Sequence, residues 1–489
     1  MPSSPPADQD TPKQTHSSRP TTDPFHDERG HFHHPPMEET AVQAVRSVAA
    51  EQRRVAAATV IGTAIEWYDY FLYAIVAGLL FKHLFFAQLS DTAATIITFM
   101  TVGLSFLFRP LGAFLAGHFG DKVGRRKVLM ITLITMGAAT ALIGLLPTYD
   151  SIGMAAPLLL ITLRVIQGIS AGGEWGGAVL MAVEHAPVSR RGLFGASPQI
   201  GVPVGLLMAS GVLQVMNSVA PGDAFTTWGW RIPFLLSVVL VGVGFMIRHG
   251  VEESPVFAEM EQKAETSSKP VAVLFKNHWK LVIIAALIFA GNNAVGYMTT
   301  GGYIQNYATD PNGPLQMDRG TVLAAVTWSA VSWLVFTLGA GWISDYIGRR
   351  TTYAVGFVAQ IIGVFMLFPL VNTGNPRYLL LALVALTLGL GMTYGPQAAL
   401  YSELFPAPIR FSGVSISYAI GAIAGGAFAP MIAAALVEKT GSTGSVTVYL
   451  TIMSLLGLGA VLLTRDRSGI PLGPTADTSE FGPPLRIGN

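Results

Sequence analysis

The stretch GTAIEWYDYF, residues 62–71, holds two carboxylates, Glu66 and Asp69, in a run from Val55 to Phe81 that is otherwise almost wholly apolar. A second apolar run contains RVIQG, with Arg164 and Gln167, and then Glu174; a third contains Arg109. A charge at the centre of a bilayer costs roughly 2.5–3.5 kcal/mol on insertion scales, and intramembrane ionisable residues usually mark an ion or substrate path. A carboxylate in low-dielectric surroundings is pushed toward its protonated form, and a nearby guanidinium pushes it back. Protonation can then follow the neighbour's position, which is what coupling to a proton gradient requires. Asp69, Glu66, Arg164, Glu174 and Arg109 are therefore the candidates for proton coupling. The competing reading is a set of static ion pairs locking the runs together, and it weighs most for Arg109 and Glu174.

Such residues need helices that carry them into a bilayer. The chain has 489 residues, of which 51% are hydrophobic and 12% charged, against about 25% charged in soluble domains. Its 53 glycines are in keeping with membrane helices. From Val55 onward, apolar runs long enough to span roughly 30 Å of hydrocarbon follow one another with short breaks. Twelve are expected: 55–81, 93–117, 128–146, 157–183, 193–216, 230–248, 280–306, 320–343, 352–371, 378–400, 414–437 and 445–464. The fold class is thus an all-α membrane protein. Residues 1–54 are polar, include HFHHPP, and read as a disordered tail with no cleavable signal peptide. Residues 249–279 read as a linker between two six-helix halves (55–248 and 280–464), and the Gly/Pro-rich 465–489 as a second disordered tail.

An even number of spans puts both termini on one side. One set of loops carries Arg53, Arg54, DKVGRRK, VSRRG, Lys263, Lys269, Lys276, GRR, Arg410, Arg465 and Arg467; the other carries Lys82, Arg319, Arg377 and Lys439. The positive-inside rule assigns the basic set, and both termini, to the cytoplasm of a cell whose plasma membrane holds the protein. A net charge of +1 excludes a nucleic-acid partner, which would demand a concentrated basic face. The absence of cysteine excludes disulfides and thiolate-ligated metals.

With that topology, Asp69 lies near mid-membrane and Glu66 one turn closer to the cytoplasm on much the same face. Arg109 is at a depth to meet Glu66 or Glu174, and Arg164 can reach toward Asp69. Tyr70 and Tyr73 share the Glu66 face and, with Arg164 and Gln167, are candidates to contact a substrate. Trp67 and Trp175 are expected to pack.

The halves repeat one another. Gly117, Asp121, Gly124, Arg125 and Arg126 recur 224 residues later as Gly341, Asp345, Gly348, Arg349 and Arg350, and E-x-x-P-x-x-x-R recurs at an offset of 219, with Glu184 and Arg191 matched by Glu403 and Arg410. Both halves run in the same sense, so the repeat is parallel. These loop charges are expected to form clasps that hold helix ends together in one state and part in another. Plain topology signalling is the alternative, although acids contribute little to it. At the offset of 224, Asp69 corresponds to Asn293. The second half has no comparable buried charge in its helices and offers neutral hydrogen bonders instead, Asn292, Asn293, Tyr297, Tyr394 and Gln397, which are candidates to contact a substrate, with helix–helix polar contacts an equal alternative.

G-x-x-x-D-[RK]-x-G-R-[RK] between the second and third spans resembles the signature loop of the major facilitator superfamily, and RVIQG resembles its span-four motif. GTAIEWYDYF, RVIQGISAGGEWGGA, RRGLFGASPQIG, WGWRIPF and EESPVF together resemble the metabolite:proton symporter family within it, over roughly residues 55–465. Tyr346 departs from the pattern where the first copy has Lys122. The resemblance implies two parallel-repeat six-helix bundles with a midplane site between them and alternating access. It also implies uptake of a small organic acid or zwitterion with protons, by a monomeric bacterial carrier that is not an enzyme and uses no cofactor. No G-x-x-x-x-G-K-[ST] loop is present to bind ATP. An exporter of the same fold is the nearest rival. A membrane enzyme or sensor is weaker, since five of the ten histidines (His16, His26, His31, His33, His34) lie in the N-terminal tail.

Overall fold

The computed structural model describes residues 37–123, 125–172, 174–249, 270–300, 302–473 and 479–486. It is helical throughout apart from one isolated bridge, Thr464 with Leu485. Among the described residues, eleven helices are long and apolar enough to cross a membrane, and a further helix, Arg125–Leu145, is apolar over Ile131–Leu145 at the position of the expected third span. In chain order they are α1 (Gln52–Leu84), α2 (Asp91–Val123), α3 (Arg125–Leu145), α4 (Ala155–Glu184), α5 (Val188–Val219), α6 (Phe225–Met246), α7 (Val271–Thr309), α8 (Arg319–Ile347), α9 (Arg349–Val371), α10 (Pro376–Leu404), α11 (Ala407–Thr440) and α12 (Gly444–Leu463).

The polarity of the bundle is inverted relative to a soluble protein. Phe114, Ile131, Val239, Met246 and Trp328 are each more than 60% exposed, while Glu66, Asp69, Arg109, Arg164 and Glu174 are nearly inaccessible. An apolar exterior around a polar interior is what a lipid solvent selects. Small residues set how closely helices approach. A side chain at Gly168 would meet the backbone of Ser105, and one at Gly172 the carbonyl of Arg109. These glycines press α4 onto α2 and bring both buried arginines to one interior.

Several helices break partway. α1 contains a π-turn at Ala77–Phe81, and α7 changes direction at Gly302, whose φ of 83° is accessible to glycine. Gly78 and Gly302 stand at the repeat offset of 224 and touch: a Cβ on Gly78 would strike the Gly302 carbonyl. α4 and α10 are interrupted too, the latter between Tyr394 and Gln397.

Both ends of the chain differ from the composition-based expectation. Helix begins at Met37, inside the stretch expected to be disordered; Ala, Glu, Gln and Arg dominate from there, and these favour helix. Residues 1–36, with their histidines, lie outside the described residues, as do 250–269 of the linker. Helix resumes at Pro270, with a non-helical φ of −131° at His278 just before the expected span. At the C-terminal end, the described residues 465–473 and 479–486 pack against the bundle: Ile470, Leu472 and Leu485 are buried.

Candidate functional site

The face bearing the α4–α5, α8–α9 and α10–α11 connections and the end of α12 is called here the clasp face, and the opposite one the far face. Between them lie two cavities. The first sits between the halves, lined by Trp67, Phe71 and Val202 from the first half and by Asn292, Asn293, Gly296, Tyr297, Trp333, Leu390 and Tyr394 from the second, with an empty volume of about 280 Å³. Its wall is rich in unpartnered polar atoms: Trp67 Nε1, Asn293 Nδ2, Tyr297 Oη, Trp333 Nε1 and Asn292 Oδ1 have no partner in hydrogen-bond geometry among the described residues. Buried polar atoms left unpaired cost about 1–3 kcal/mol each, so a cluster of them around a cavity suits a polar guest.

The second cavity lies within the first half, lined by Glu66, Asp69, Tyr70, Ser105, Arg109, Met136, Arg164, Gln167 and Ala171. Rings divide the two: Tyr70 packs against Phe106 at 4.9 Å, and both meet Tyr297 of the other half at 5.6 and 5.5 Å.

Arg164 holds its charge without a carboxylate. Its Nε donates to the Thr101 carbonyl (3.1 Å), Nη1 to Gln167 Oε1 (2.7 Å), and Nη2 to the Val102 carbonyl and Ser105 Oγ (both 2.9 Å). The guanidinium lies 3.8 Å from the centre of the Tyr73 ring, a favourable cation–π placement. The expected reach toward Asp69 is not made: no ion pair joins the two. Their link is indirect, because Gln167 Nε2 donates to Thr140 Oγ1 at 2.6 Å and Thr140 faces Asp69. The reason is proximity within one helix, since Gln167 sits one turn from Arg164 and occupies the guanidinium edge first.

Neither oxygen of Asp69 has a donor in hydrogen-bond geometry, and the residue is 2% exposed. Its hydroxyl neighbours, Thr140 on α3 and Ser237 on α6, donate to the carbonyls of Met136 and Phe234 instead. Glu66 does meet Arg109, at 3.7 Å, and Arg109 lies against the rings of Phe106 and Trp67. Glu174 accepts from Thr132 at 3.1 Å.

The residues expected to touch substrate divide between these places. Asn292, Asn293, Tyr297 and Tyr394 line the inter-half cavity, while Arg164, Tyr70 and Gln167 line the inner one. Tyr73 bonds Thr101 Oγ1 (2.6 Å) beneath Arg164. Gln397 stands behind Tyr394, and its Oε1 accepts from Gln199 (3.2 Å), which also bonds the Tyr394 carbonyl and Trp175 Nε1. Trp175 packs as expected, stacked on Tyr418 of the second half at 3.7 Å. Trp67 instead lines the cavity. Thr140, Ser237, Gln199 and Trp333 escaped the sequence reading. One signal existed for Trp333: it stands 224 residues after Arg109.

At the clasp face, acids and arginines are exchanged between the halves. Glu184 meets Arg410 at 3.4 Å, and Glu403 meets Arg191 at 4.0 Å. Within the second half, Arg349 binds Asp345 (2.7 Å) and Glu403 (3.4 Å). Asp345 also accepts from the amides of Gly192 and Leu193 at the start of α5, at 2.8 and 3.0 Å, a placement the helix dipole favours. Gly348, with φ 89°, forms the turn between α8 and α9. Gly124 and the side chains of Asp121 and Arg125 lie outside the described residues, and Gly117 lies within α2. The far face is closed as well, by Gly78 against Gly302 and by Lys82, which bridges Asp91 (3.1 Å) and Asp310 (2.8 Å).

Twelve helices in two repeated halves, a shared cavity and motif-bearing clasps set the frame for comparison with known proteins. The family model of the major facilitator superfamily matches residues 59–424. The chain belongs to the major facilitator superfamily. An inner membrane metabolite transport protein of Escherichia coli, YhjE, is 40% identical over 85% of this chain and 94% of its own length. The shikimate transporter of the same organism is 36% identical over 85% and 94%. Among solved structures, a D-xylose–proton symporter superimposes with a TM-score of 0.67 at 20% identity, covering 85% of this chain and 98% of that one; at that identity the likeness speaks to the fold. The superfamily member described here is a multi-pass membrane transporter and not an enzyme, and its relatives are those of the metabolite:proton symporter family that its motifs resemble.

Proposed function

We propose that this transporter imports a small organic acid or zwitterion together with protons, by alternating access, across a bacterial plasma membrane. It acts as a single chain with no cofactor, and the proton gradient drives it. The observation that carries the coupling is Asp69, buried with only the hydroxyls of Thr140 and Ser237 facing its carboxyl and with no ion-pair partner among the described residues. An unpaired charge in such a place is strongly disfavoured, so the arrangement suits the proton-loaded form. Arg164, meanwhile, is held by neutral acceptors. When Asp69 loses its proton, Gln167 and Thr140 form the hydrogen-bonded path through which the new charge is felt at Arg164.

The substrate belongs in the cavity between the halves, where Trp67, Asn293, Tyr297 and Trp333 present unpartnered donors. Donor-rich walls favour a carboxylate- or hydroxyl-bearing guest, in keeping with the shikimate transporter among the relatives. With the clasp face toward the cytoplasm, as Arg190, Arg191, Arg349, Arg350, Arg410, Arg465 and Arg467 on that face favour, the clasps are the inner gate and Lys82–Asp310 the outer one.

The test is uptake of radiolabelled organic acids, shikimate and betaines into proteoliposomes, with and without an imposed pH gradient. Accumulation of one of them above its external concentration, abolished by a protonophore, is expected. Accumulation that ignores the protonophore would remove proton coupling, and efflux under an inward proton gradient would reverse the direction.

A further inference from the structure

Beyond α12 the chain does not leave the bundle. Asp466 Oδ2 accepts from the amide of Arg350 at the start of α9 (3.3 Å), and Arg467 donates to the Glu403 carbonyl on α10 (3.3 Å). Arg465 and Arg486 donate their amides to the carbonyls of Pro484 and Leu463, both at 2.9 Å, closing a loop around the bridge of Thr464 with Leu485. All of these anchors lie on the second half. Gly-Ile-Pro-Leu-Gly, residues 469–473, then runs across the clasps. Arg410 of α11 donates to the Leu472 carbonyl (2.9 Å), and Arg191 of α5 donates to the Ile470 carbonyl. Arg191 belongs to the first half, so the segment is anchored to one half and hooked by the other.

The composition of the segment suits this. Pro471 has no amide hydrogen and fixes its own φ, and it holds Ile470 extended. The Ile470–Pro471 pair therefore has little conformational entropy left to lose on docking, which offsets part of the cost of ordering Gly469 and Gly473. It offers carbonyls, which match guanidinium donors, and the side chains of Ile470 and Leu472, both at most 5% exposed. Arg191 and Arg410 are also the arginines of the two exchanged ion pairs. The tail therefore sits on the groups that must part when the clasp face opens.

We infer that residues 469–473 form a latch, a docked peptide of the chain itself that holds the clasp face closed and must release before that face opens. This rests on the alternating-access reading, and its test is separable from transport. The chain has no cysteine, so one introduced as Ala398→Cys, on α10 beside Gly195 of α5 and fully buried here, reports opening by its labelling rate alone. Truncation after Ser468 removes the latch and keeps Asp466 and Arg467. A full-length Leu472→Asp chain places a charge where the buried leucine packs, and covers the case in which the truncated chain fails to fold. Labelling is expected to be about tenfold faster in both, the factor one charge-assisted hydrogen bond supplies. A synthetic peptide of residues 465–486 is expected to slow it again in the truncated protein. Unchanged labelling in the two variants, or faster labelling that the peptide leaves unaltered, overturns the latch. A wild type that labels in this way but moves no substrate would instead remove the transport reading.

Discussion

The two halves hold equivalent positions on equivalent helices and fill them with different chemistry. Asp69 and Arg109 of the first half correspond at one offset to Asn293 and Trp333 of the second. The first pair lines a cavity inside its own bundle; the second pair lines the cavity the bundles share. Ionisable groups sit where a charge change can be contained, and neutral donors where a guest must come and go. A charged wall would hold a polar guest more tightly and release it more slowly, while a neutral one can bind by hydrogen bonds and let go. Duplication supplied the frame twice, and divergence gave one copy the buried ionisable groups and the other the neutral donors.

The comparison breaks most directly at Asp69. Asp69→Asn mimics the protonated side chain permanently. It is expected to abolish uphill accumulation, a loss of about a hundredfold or more if this group carries the coupled proton, while substrate exchange persists. Concentration of substrate by this variant under a proton-motive force would pass the role to Glu66.

The reverse transplant is Asn293→Asp, which puts the first half's acid into the shared cavity. Among Trp67, Tyr297 and Trp333 it has no cation to meet, so substrate affinity is expected to fall by about tenfold or more with no second coupled proton. Equilibrium binding measured by calorimetry reads the first part, and proton-to-substrate stoichiometry the second.

Gln167→Leu sharpens the comparison from inside the first half. Removing the amide cuts the path from Asp69 through Thr140 to Arg164 and frees the guanidinium to turn toward the acid. Charged Asp69 then gains a partner alongside Glu66 and Arg109. Uptake is expected to reach half its maximum at a lower pH, with KM changed by less than about threefold. A pH profile that superimposes on wild type would leave Gln167 a packing residue.

At the clasps the halves exchange matching Glu–Arg pairs, and the effects are smaller. Asp345→Asn weakens the cap on α5 and the bond to Arg349. Turnover is expected to fall by about three- to tenfold with substrate binding intact; lost binding in a folded protein would count against a gating role. The smallest effect is expected from deleting residues 1–36, whose composition cannot bury apolar surface, and rates should stay within about twofold.

The twelve spans were legible because a bilayer imposes length and hydropathy on each segment, and the duplication because its loop motifs recur in order. Which charges meet was legible only by depth. Glu66 and Arg109 pair as depth allows, but Arg164 has neutral partners because the rotation of α4 delivers Gln167 and the α2 carbonyls to it first. Helix rotation leaves little mark on an apolar sequence. Trp67 was read as packing because an indole in a helix does both jobs with the same spacing. The C-terminal tail was misread because Gly and Pro make a chain hard to order alone, while what holds it, the burial of Ile470 and Leu472 and the donors of Arg191 and Arg410, comes from distant parts of the chain.

Gly78 and Gly302 are two copies of one position, and they touch. Only residues beside a two-fold axis can meet their own counterparts. The clasp face shows the same reciprocity, Glu184 with Arg410 answered by Arg191 with Glu403. These are the contacts of an isologous dimer written into a single polypeptide. Two identical six-helix chains meeting in this way would carry the buried aspartate twice or not at all. Joined in one gene, they can carry it once, with an asparagine at the matching position of the other half.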